Sequence, residues 1–157
     1  MSEPADRDTT LRAVDGAYAS LLAVLDGLSA DDRMRLNVIG PWSVAQLLAH
    51  MVGWLGEAMG SLERLGRGER PTPEGVDYRN LDAWNAKFVE VHTREAWDTA
   101  LSDFVERFEG FRAVLAALPP ERFGQGRTAS TLATIGCIDH FPEHQAQIEH
   151  ALSPSAD

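Results

Sequence analysis

The sequence predicts an all-α protein, and three observations support this fold class. Apolar residues recur three and four positions apart through several long segments, which is the period of an amphipathic helix. No segment of comparable length alternates apolar and polar residues as a half-buried strand does. Helix start and stop signals, among them a capping box and a pair of prolines, flank these segments.

Length and composition suit one domain. The chain has 157 residues, so we expect a single domain over 1–157 with its core at about 6–152. One cysteine, a polar N-terminus and the lack of an apolar run of ~20 residues predict a cytoplasmic protein that does not span a membrane. The formal charge of −10 argues against nucleic acid and anionic membranes as partners, although Arg64, Arg67 and Arg70 form a local basic cluster.

The first helix is predicted from about Asp6 to Leu28. Its apolar residues form a narrow seam of the kind that packs in a helical bundle. The seam consists of Leu11, Val14, Tyr18, Leu21, Leu25 and Leu28. Tyr18 has two interpretations, either a core residue whose hydroxyl finds a partner or a residue of a substrate pocket.

The second helix carries its own start signal. Ser43 and Gln46 have the spacing of a capping box, which predicts that the helix begins near Ser43. Trp42, just before the cap, can pack on Leu47 as a hydrophobic staple. His50 lies within the apolar face of this helix, so its ring points into the bundle. There it is either a buried neutral imidazole or a metal ligand.

The middle of the chain holds a loop and two helices. Residues 66–80 have no apolar period and predict a loop long enough for a crossover or for a flap near a site. A shorter helix is predicted over Leu81–His92. A longer helix then runs to about Leu118, capped by Thr93 and ended by two prolines. His92 at the break is expected to be exposed or capping rather than a ligand.

The last helix is predicted to start between Thr128 and Thr131. His140, His144 and Gln147 project along one stripe of it, because residues three and four apart are neighbours on a helix. The two histidines can therefore point at one ion, with a third nitrogen arriving from a neighbouring helix. Three histidine nitrogens with an open position are typical of a catalytic metal site.

Three further residues of the last helix have definite expectations. Pro142 cannot donate the usual hydrogen bond to the carbonyl of Ile138, which predicts a kink or a bulge beside the histidines. His150 lies about 120° around the helix from His144 and is expected to face solvent. Cys137 is expected to be a small buried residue rather than a nucleophile.

Three segments together resemble the DinB/YfiT-like superfamily: WSVAQLLAHMVGW, LDAWNAKF and DHFPEHQAQI. The most specific part is the W-S-x-x-x-L-L-x-H opening of the second helix combined with HxxxHxxQ in the last. The resemblance covers nearly the whole chain. It implies a four-helix bundle whose middle helices are joined by a long crossover, and a homodimer. By position, His50, His140 and His144 match the metal ligands of that superfamily.

The implied cofactor is a divalent metal ion. Imidazole ligands suit several ions, of which Zn²⁺ or Ni²⁺ is our expectation, with Fe²⁺, Cu²⁺ or Mn²⁺ as alternatives. Each ligating ring should donate its second N–H to a neighbouring acceptor. Asp15, Asp139 and Glu143 are the candidate acceptors.

The resemblance also implies an activity. It points to enzymes that transfer a low-molecular-weight thiol such as bacillithiol, mycothiol or glutathione to a small electrophile, in detoxification or a stress response. Because a divalent ion also lowers the pKa of bound water, metal-dependent hydrolysis of a reactive small molecule is an alternative. A third reading is a non-catalytic stress protein that binds a metal or a ligand. Tyr18, Trp54 and Asn85 are the candidate pocket residues.

Overall fold

The computed structural model describes residues 4–92 and 96–152, and the all-α prediction is confirmed there. Within these residues no strand forms, and extended pairing is limited to one bridge between Ile39 and Trp42. The helices are α1 (Arg7–Asp26), α2 (Ala30–Met34), α3 (Val44–Gly66), α4 (Leu81–His92), α5 (Trp97–Ala117), α6 (Thr128–Ala133) and α7 (His140–Leu152).

The four long rods of the bundle are α1, α3, α5 and the composite of α6 and α7. The α3 helix packs against both α5 and α4, while α1 packs against α7. The connection from α3 to α5 is the expected long crossover, and it carries α4 along one side of α3. None of the helices in the described ranges is long and apolar enough to cross a membrane.

Two of the predicted helix starts, at Asp6 and at Ser43, are confirmed by their capping hydrogen bonds. Asp6 caps α1 by accepting a hydrogen bond of 2.7 Å from the Thr9 backbone N–H. Ser43 and Gln46 form the complete capping box at the start of α3. The Ser43 hydroxyl accepts from the Gln46 backbone at 3.1 Å, and the Gln46 side chain accepts from the Ser43 backbone at 2.9 Å.

Large apolar side chains from all four rods fill the core. Phe104 of α5 and Phe141 of α7 are fully buried, and their ring centroids lie 5.5 Å apart. Aromatic rings at this separation add a favourable edge-on contact to the area they bury. Phe141 directly follows His140 along the chain, so the position of that histidine depends on the packing of the core.

One short helix was not predicted from the sequence. The short α2 follows Ser29, whose hydroxyl accepts a hydrogen bond of 3.1 Å from the backbone of Asp32. It buries none of its residues, so it shows no apolar period in the sequence. The only available signal was the serine followed three residues later by an acidic residue.

The two helices of the crossover region largely match expectation. The prediction of Leu81–His92 is confirmed, and the longer helix ends one residue before Leu118. The longer helix begins at Trp97 rather than at Thr93. The proposed Thr93 cap and the side chain of His92 lie outside the residues that the structure describes.

The expected irregularity near Pro142 is confirmed as a π-helical segment over Thr134–Ile138. The backbone N–H of Asp139 donates to the carbonyl of Thr134 at 2.9 Å, five residues back. Pro142 then falls in the first turn of α7, where a missing N–H costs little. Single π-turns of this kind are frequent at functional sites.

Glycine at position 53 permits the close approach of α4 to α3. A Cβ added to Gly53 would lie 2.1 Å from Cγ of Phe88 on α4. We therefore expect Gly53→Ala to lower the free energy of unfolding by about 1–3 kcal/mol in urea titrations, as overpacking does. Gly60→Ala is the matched control on the same helix, because a Cβ there meets nothing within 4 Å. Equal stabilities of the two variants would contradict this account of the contact.

Candidate metal centre

The structure brings three histidines from two rods of the bundle to one point. The Nε2 atom of His50 lies 3.0 Å from that of His140 and 3.2 Å from that of His144, and the last two are 2.8 Å apart. His50 and His144 are buried, while His140 is half-buried and faces a cavity. Of the residues described, these histidines form a group that could hold a metal ion.

The orientation of His50 is set by a chain of hydrogen bonds. Trp54 donates from Nε1 to Oδ1 of Asn85 at 2.7 Å, and an indole N–H can only donate. The Asn85 oxygen is therefore fixed as an acceptor, and Nδ1 of His50, 3.0 Å from it, must be the donor. This arrangement puts the proton of a neutral His50 on Nδ1 and leaves a lone pair on Nε2.

The other two rings are held by acceptors on their own helix. Nδ1 of His144 lies 2.7 Å from Oε1 of Gln147, three residues on. His140 hydrogen-bonds the backbone of Gly136 in the π-helical segment. All three ring orientations therefore rest on amide or carbonyl oxygens, which direct Nε2 toward the common point.

The predicted carboxylate partners do not serve this role. Asp15 instead forms a two-bonded ion pair with Arg112, at 2.9 and 3.0 Å. Asp139 and Glu143 are exposed on the helix surface. The sequence offered no way to choose, because a neighbour on the same helix and a partner from another helix are equally compatible with local spacing.

The donor set fits a divalent cation. Three Nε2 lone pairs facing one another at 2.8–3.2 Å repel each other unless a proton or a cation lies between them. Two nitrogens bound ~2.05 Å from a tetrahedral zinc ion are ~3.3 Å apart, which is close to the observed separations.

Burial keeps the three imidazoles uncharged. Loss of solvent lowers the pKa of His50 to about 4 and that of His140 to about 3, and the neighbouring histidines add to both shifts. The pKa of His144 is also lowered by burial, against the opposing effect of Gln147. Since only neutral imidazole binds a metal, the rings are in the ligating form at neutral pH.

A cavity of about 410 Å³ opens beside the histidines. Its walls come from α3, α4, the crossover loop and the π-helical segment. Lining residues are His50, Trp54, Glu57, Ala58, Ser61, Tyr78, Leu81, Asn85, Leu132, Ile135, Gly136 and His140. The three-histidine centre is thus open to a space large enough for a small molecule.

The structure places two of the three predicted pocket residues on this cavity. Trp54 and Asn85 line it, and both also belong to the hydrogen-bond chain that ends at His50. Tyr18 does not line it, and its pocket interpretation is corrected. The Tyr18 ring stacks on Phe108 with centroids 3.6 Å apart and packs against the core.

Several residues that line the cavity were not predicted from the sequence. Glu57 and Ser61 lie seven and eleven residues after His50, on the same helical face, so their signal was available from helical periodicity. Tyr78 comes from the crossover loop, where no period predicts which side chains turn inward. Its hydroxyl donates to Oε2 of Glu57 at 2.7 Å, which ties the loop to α3.

The expectations for two residues outside the three-histidine centre are confirmed. Cys137 is fully buried, and burial raises the pKa of its thiol well above the usual range, so it is unsuited to act as a nucleophile. His150 is exposed on α7.

Asn85 supplies a direct test of how the site is oriented. We expect Asn85→Ala to weaken metal affinity by about 10–100-fold without unfolding the protein, because His50 loses the acceptor that fixes its ring. The affinity is measured by competition with a chromogenic chelator. Gln125→Ala, which removes an exposed side-chain amide outside the cavity lining, is the control. Unchanged affinity in the Asn85 variant would mean that packing alone orients His50.

The fold and the site together define the class of this protein. It is a helical bundle in which three histidines that could hold a metal ion converge at the edge of a cavity. The chain belongs to the DinB superfamily, whose family model matches residues 13–147. No curated protein sequence matches this chain significantly.

Solved structures share the fold at low sequence identity. The colibactin self-resistance protein ClbS, crystallised in complex with a dsDNA, is 12% identical and superposes with a TM-score of 0.82, covering 98% of this chain and 99% of its own. The sibling lethal factor precursor DfsB is 16% identical, with a TM-score of 0.79 and coverages of 94% and 95%. A Streptococcus pneumoniae protein is 11% identical, with a TM-score of 0.78 and coverages of 96% and 92%.

One of these neighbours overturns a prediction. The exclusion of nucleic acid as a partner on the basis of net charge is wrong. ClbS has this fold and was crystallised with double-stranded DNA. Net charge sums over the whole surface, whereas contact with a duplex depends on the charge of one face.

Proposed function

We propose that this chain binds one divalent metal ion, Zn²⁺ or Ni²⁺, through His50, His140 and His144, and that it transfers a low-molecular-weight thiol to a small electrophile. The observation that carries the proposal is the convergence of three Nε2 atoms within 3.2 Å beside an open cavity. A homodimer in a reducing cytoplasm, implied by the resemblance and by the single cysteine, is part of the same proposal.

The chemistry follows from the donor set. When bound, a divalent cation supplies Lewis acidity that lowers the pKa of a thiol or of water into the neutral range. Three neutral histidines leave the cation its full positive charge, which favours an anionic sulfur. The protein therefore needs no separate general base for this step.

The side chains around the histidines orient the imidazole rings and line the cavity for the substrate. Asn85 and Gln147 hold two of the imidazole rings, so the ligand atoms are preorganised. Trp54 lines one wall, and the cavity volume accommodates a small electrophile. In the transfer itself a sulfur–carbon bond forms, the leaving group departs with its electron pair, and the thiol proton passes to solvent.

A two-substrate assay tests this activity. Metal-loaded protein is incubated with 1-chloro-2,4-dinitrobenzene and with glutathione, mycothiol or bacillithiol in turn, and thioether formation is followed by absorbance. We expect a rate that saturates with one of the thiols and that disappears in His50→Ala. Lack of metal in the protein purified without an affinity tag, even after incubation with Zn²⁺ or Ni²⁺, would contradict the proposal.

The same assay separates the alternatives. Consumption of an electrophile at a rate independent of thiol would indicate a metal-dependent hydrolase. If His50→Ala removed the metal yet left ligand affinity and cellular protection unchanged, a non-catalytic binding protein would be the correct account. The thiol dependence and the metal content together therefore decide among the three readings.

Contact with double-stranded DNA is a second candidate, favoured by the complex of the structural neighbour ClbS. On this chain the basic cluster of Arg64, Arg67 and Arg70 lies at and after the end of α3. Glu69 pairs with Arg64 at 3.3 Å and with Arg67 at 3.0 Å, so phosphates would have to displace it. Anisotropy of a labelled duplex tests this. Salt-sensitive binding that weakens in Arg67→Ala supports it, and no binding at low salt contradicts it.

A further inference from the structure

The charge of the cavity indicates what it can hold. Besides its histidines, the cavity lining found in the described ranges has one ionisable carboxylate, Glu57, and no lysine or arginine. The net charge of the chain is −10, so its long-range field also attracts cations. Glu57 therefore favours a cationic group at its own end of the cavity, whereas a divalent ion held by the histidines favours an anionic sulfur at the other end.

Aromatic rings flank this carboxylate. Trp54 and Tyr78 both line the cavity, and their ring centroids lie 6.0 Å apart. Trp84 packs behind Tyr78 at 5.0 Å and donates from Nε1 to the carbonyl of Asp77 at 2.8 Å, which fixes the loop that carries Tyr78. The faces of tryptophan and tyrosine attract cations, and aromatic walls beside a carboxylate are the usual means of recognising an ammonium group.

The side chains that line the cavity also favour an apolar ligand. Ile135 of the π-helical segment and Leu81 of α4 line its walls, and they are 62% and 57% exposed. Exposed large apolar side chains at a cavity mark a surface that an apolar ligand can cover. Glu57 lies seven residues after His50, which corresponds to about 10 Å along α3. A ligand that reaches both must span about this length.

We propose that the cavity recognises an apolar or aromatic molecule carrying a cationic ammonium group, which lies at Glu57 beside Trp54 and Tyr78. The opposite end of the molecule then lies toward His50 and His140. This names the electrophile class of the proposed function and rests on that function for its chemistry, although the binding itself requires no thiol.

Two probes of similar size test the binding. Benzyltrimethylammonium carries a permanent positive charge and cannot coordinate a metal, and 2-methyl-1-phenylpropan-2-ol is a neutral alcohol of the same shape. Each is titrated into zinc-loaded full-length protein, with the change in tryptophan fluorescence and the heat of binding as readouts. The zinc content of every sample is measured, so that failure of the metal site and failure of cation recognition are read separately.

We expect the wild type to bind the cation about tenfold more tightly than the alcohol. Glu57→Gln should remove that preference, since glutamine keeps an acceptor for Tyr78 but not the charge. Glu63→Gln is the matched control, an exposed glutamate on the same helix outside the cavity lining, and should keep the preference. Equal binding of both probes, binding of neither, or a preference that survives Glu57→Gln would overturn the inference. Retained cation preference without thiol transfer would contradict only the proposed activity.

Discussion

Replacement of His144 by alanine is expected to abolish stoichiometric binding of a divalent metal while leaving a folded helical protein. His144 lies within 3.2 Å of both other histidines, and two nitrogens without it form only a weak site. The apolar core holds the bundle independently, so the metal-free variant should lose no more than about 1–2 kcal/mol of unfolding free energy.

The metal content is measured by elemental analysis of untagged protein. The stability is measured by thermal unfolding with and without Zn²⁺. Metal at about 100 times its dissociation constant stabilises a native site by about 2.7 kcal/mol, and the variant should show no such gain. His150→Ala is the control, an exposed histidine six residues further along α7. Metal retained by His144→Ala would mean that the ion lies elsewhere, and loss of helical content would make the histidines structural.

Replacement of Phe104 by alanine is expected to have the largest effect on stability, with a loss of about 3–5 kcal/mol of unfolding free energy. Phe104 is fully buried, and its ring packs against Phe141 of α7 and Tyr18 of α1. The substitution leaves a cavity between three rods of the bundle. A loss of this size is a large share of the stability of a domain this long.

Urea titration followed by circular dichroism measures the loss. Val105→Ala on the same helix is the control, because Val105 is only half-buried and should cost about 1 kcal/mol. Together with His144→Ala, this pair of variants separates two roles of the bundle interior, which are to stabilise the fold and to position the metal ligands. Similar losses from Phe104→Ala and Val105→Ala would mean that the core relaxes around the missing ring.

Metal retention in the Phe104 variant is informative as well. Phe141 follows His140 directly, so a shift of its ring displaces one of the three ligand nitrogens. If the variant remains folded at low temperature, its metal affinity reports how strongly the core positions the site. This readout depends on ligand geometry rather than on global stability.

Most helices were predictable from local signals, but the proposed cap at Thr93 did not mark the start of α5, which begins at Trp97. The capping box at Ser43 and Gln46, the apolar seams and the proline pair each act within a few residues, and the structure confirms the helices they predict. The irregularity near Pro142 was predictable for the same reason, because a missing N–H acts on the residue four positions back. The short α2 lacked an apolar face and was missed.

The sequence by itself determined the all-α class, the start of α3 and the placing of three histidines on inward faces. Only the tertiary structure decided that Asn85 rather than a carboxylate orients His50, that Tyr78 of the crossover loop contacts Glu57 at the cavity, and that Tyr18 belongs to the core. Helical periodicity fixes which face of a helix is apolar, whereas contacts between residues far apart in sequence depend on how rods and loops pack. The Asn85 contact joins residues 35 positions apart, and no local pattern encodes it.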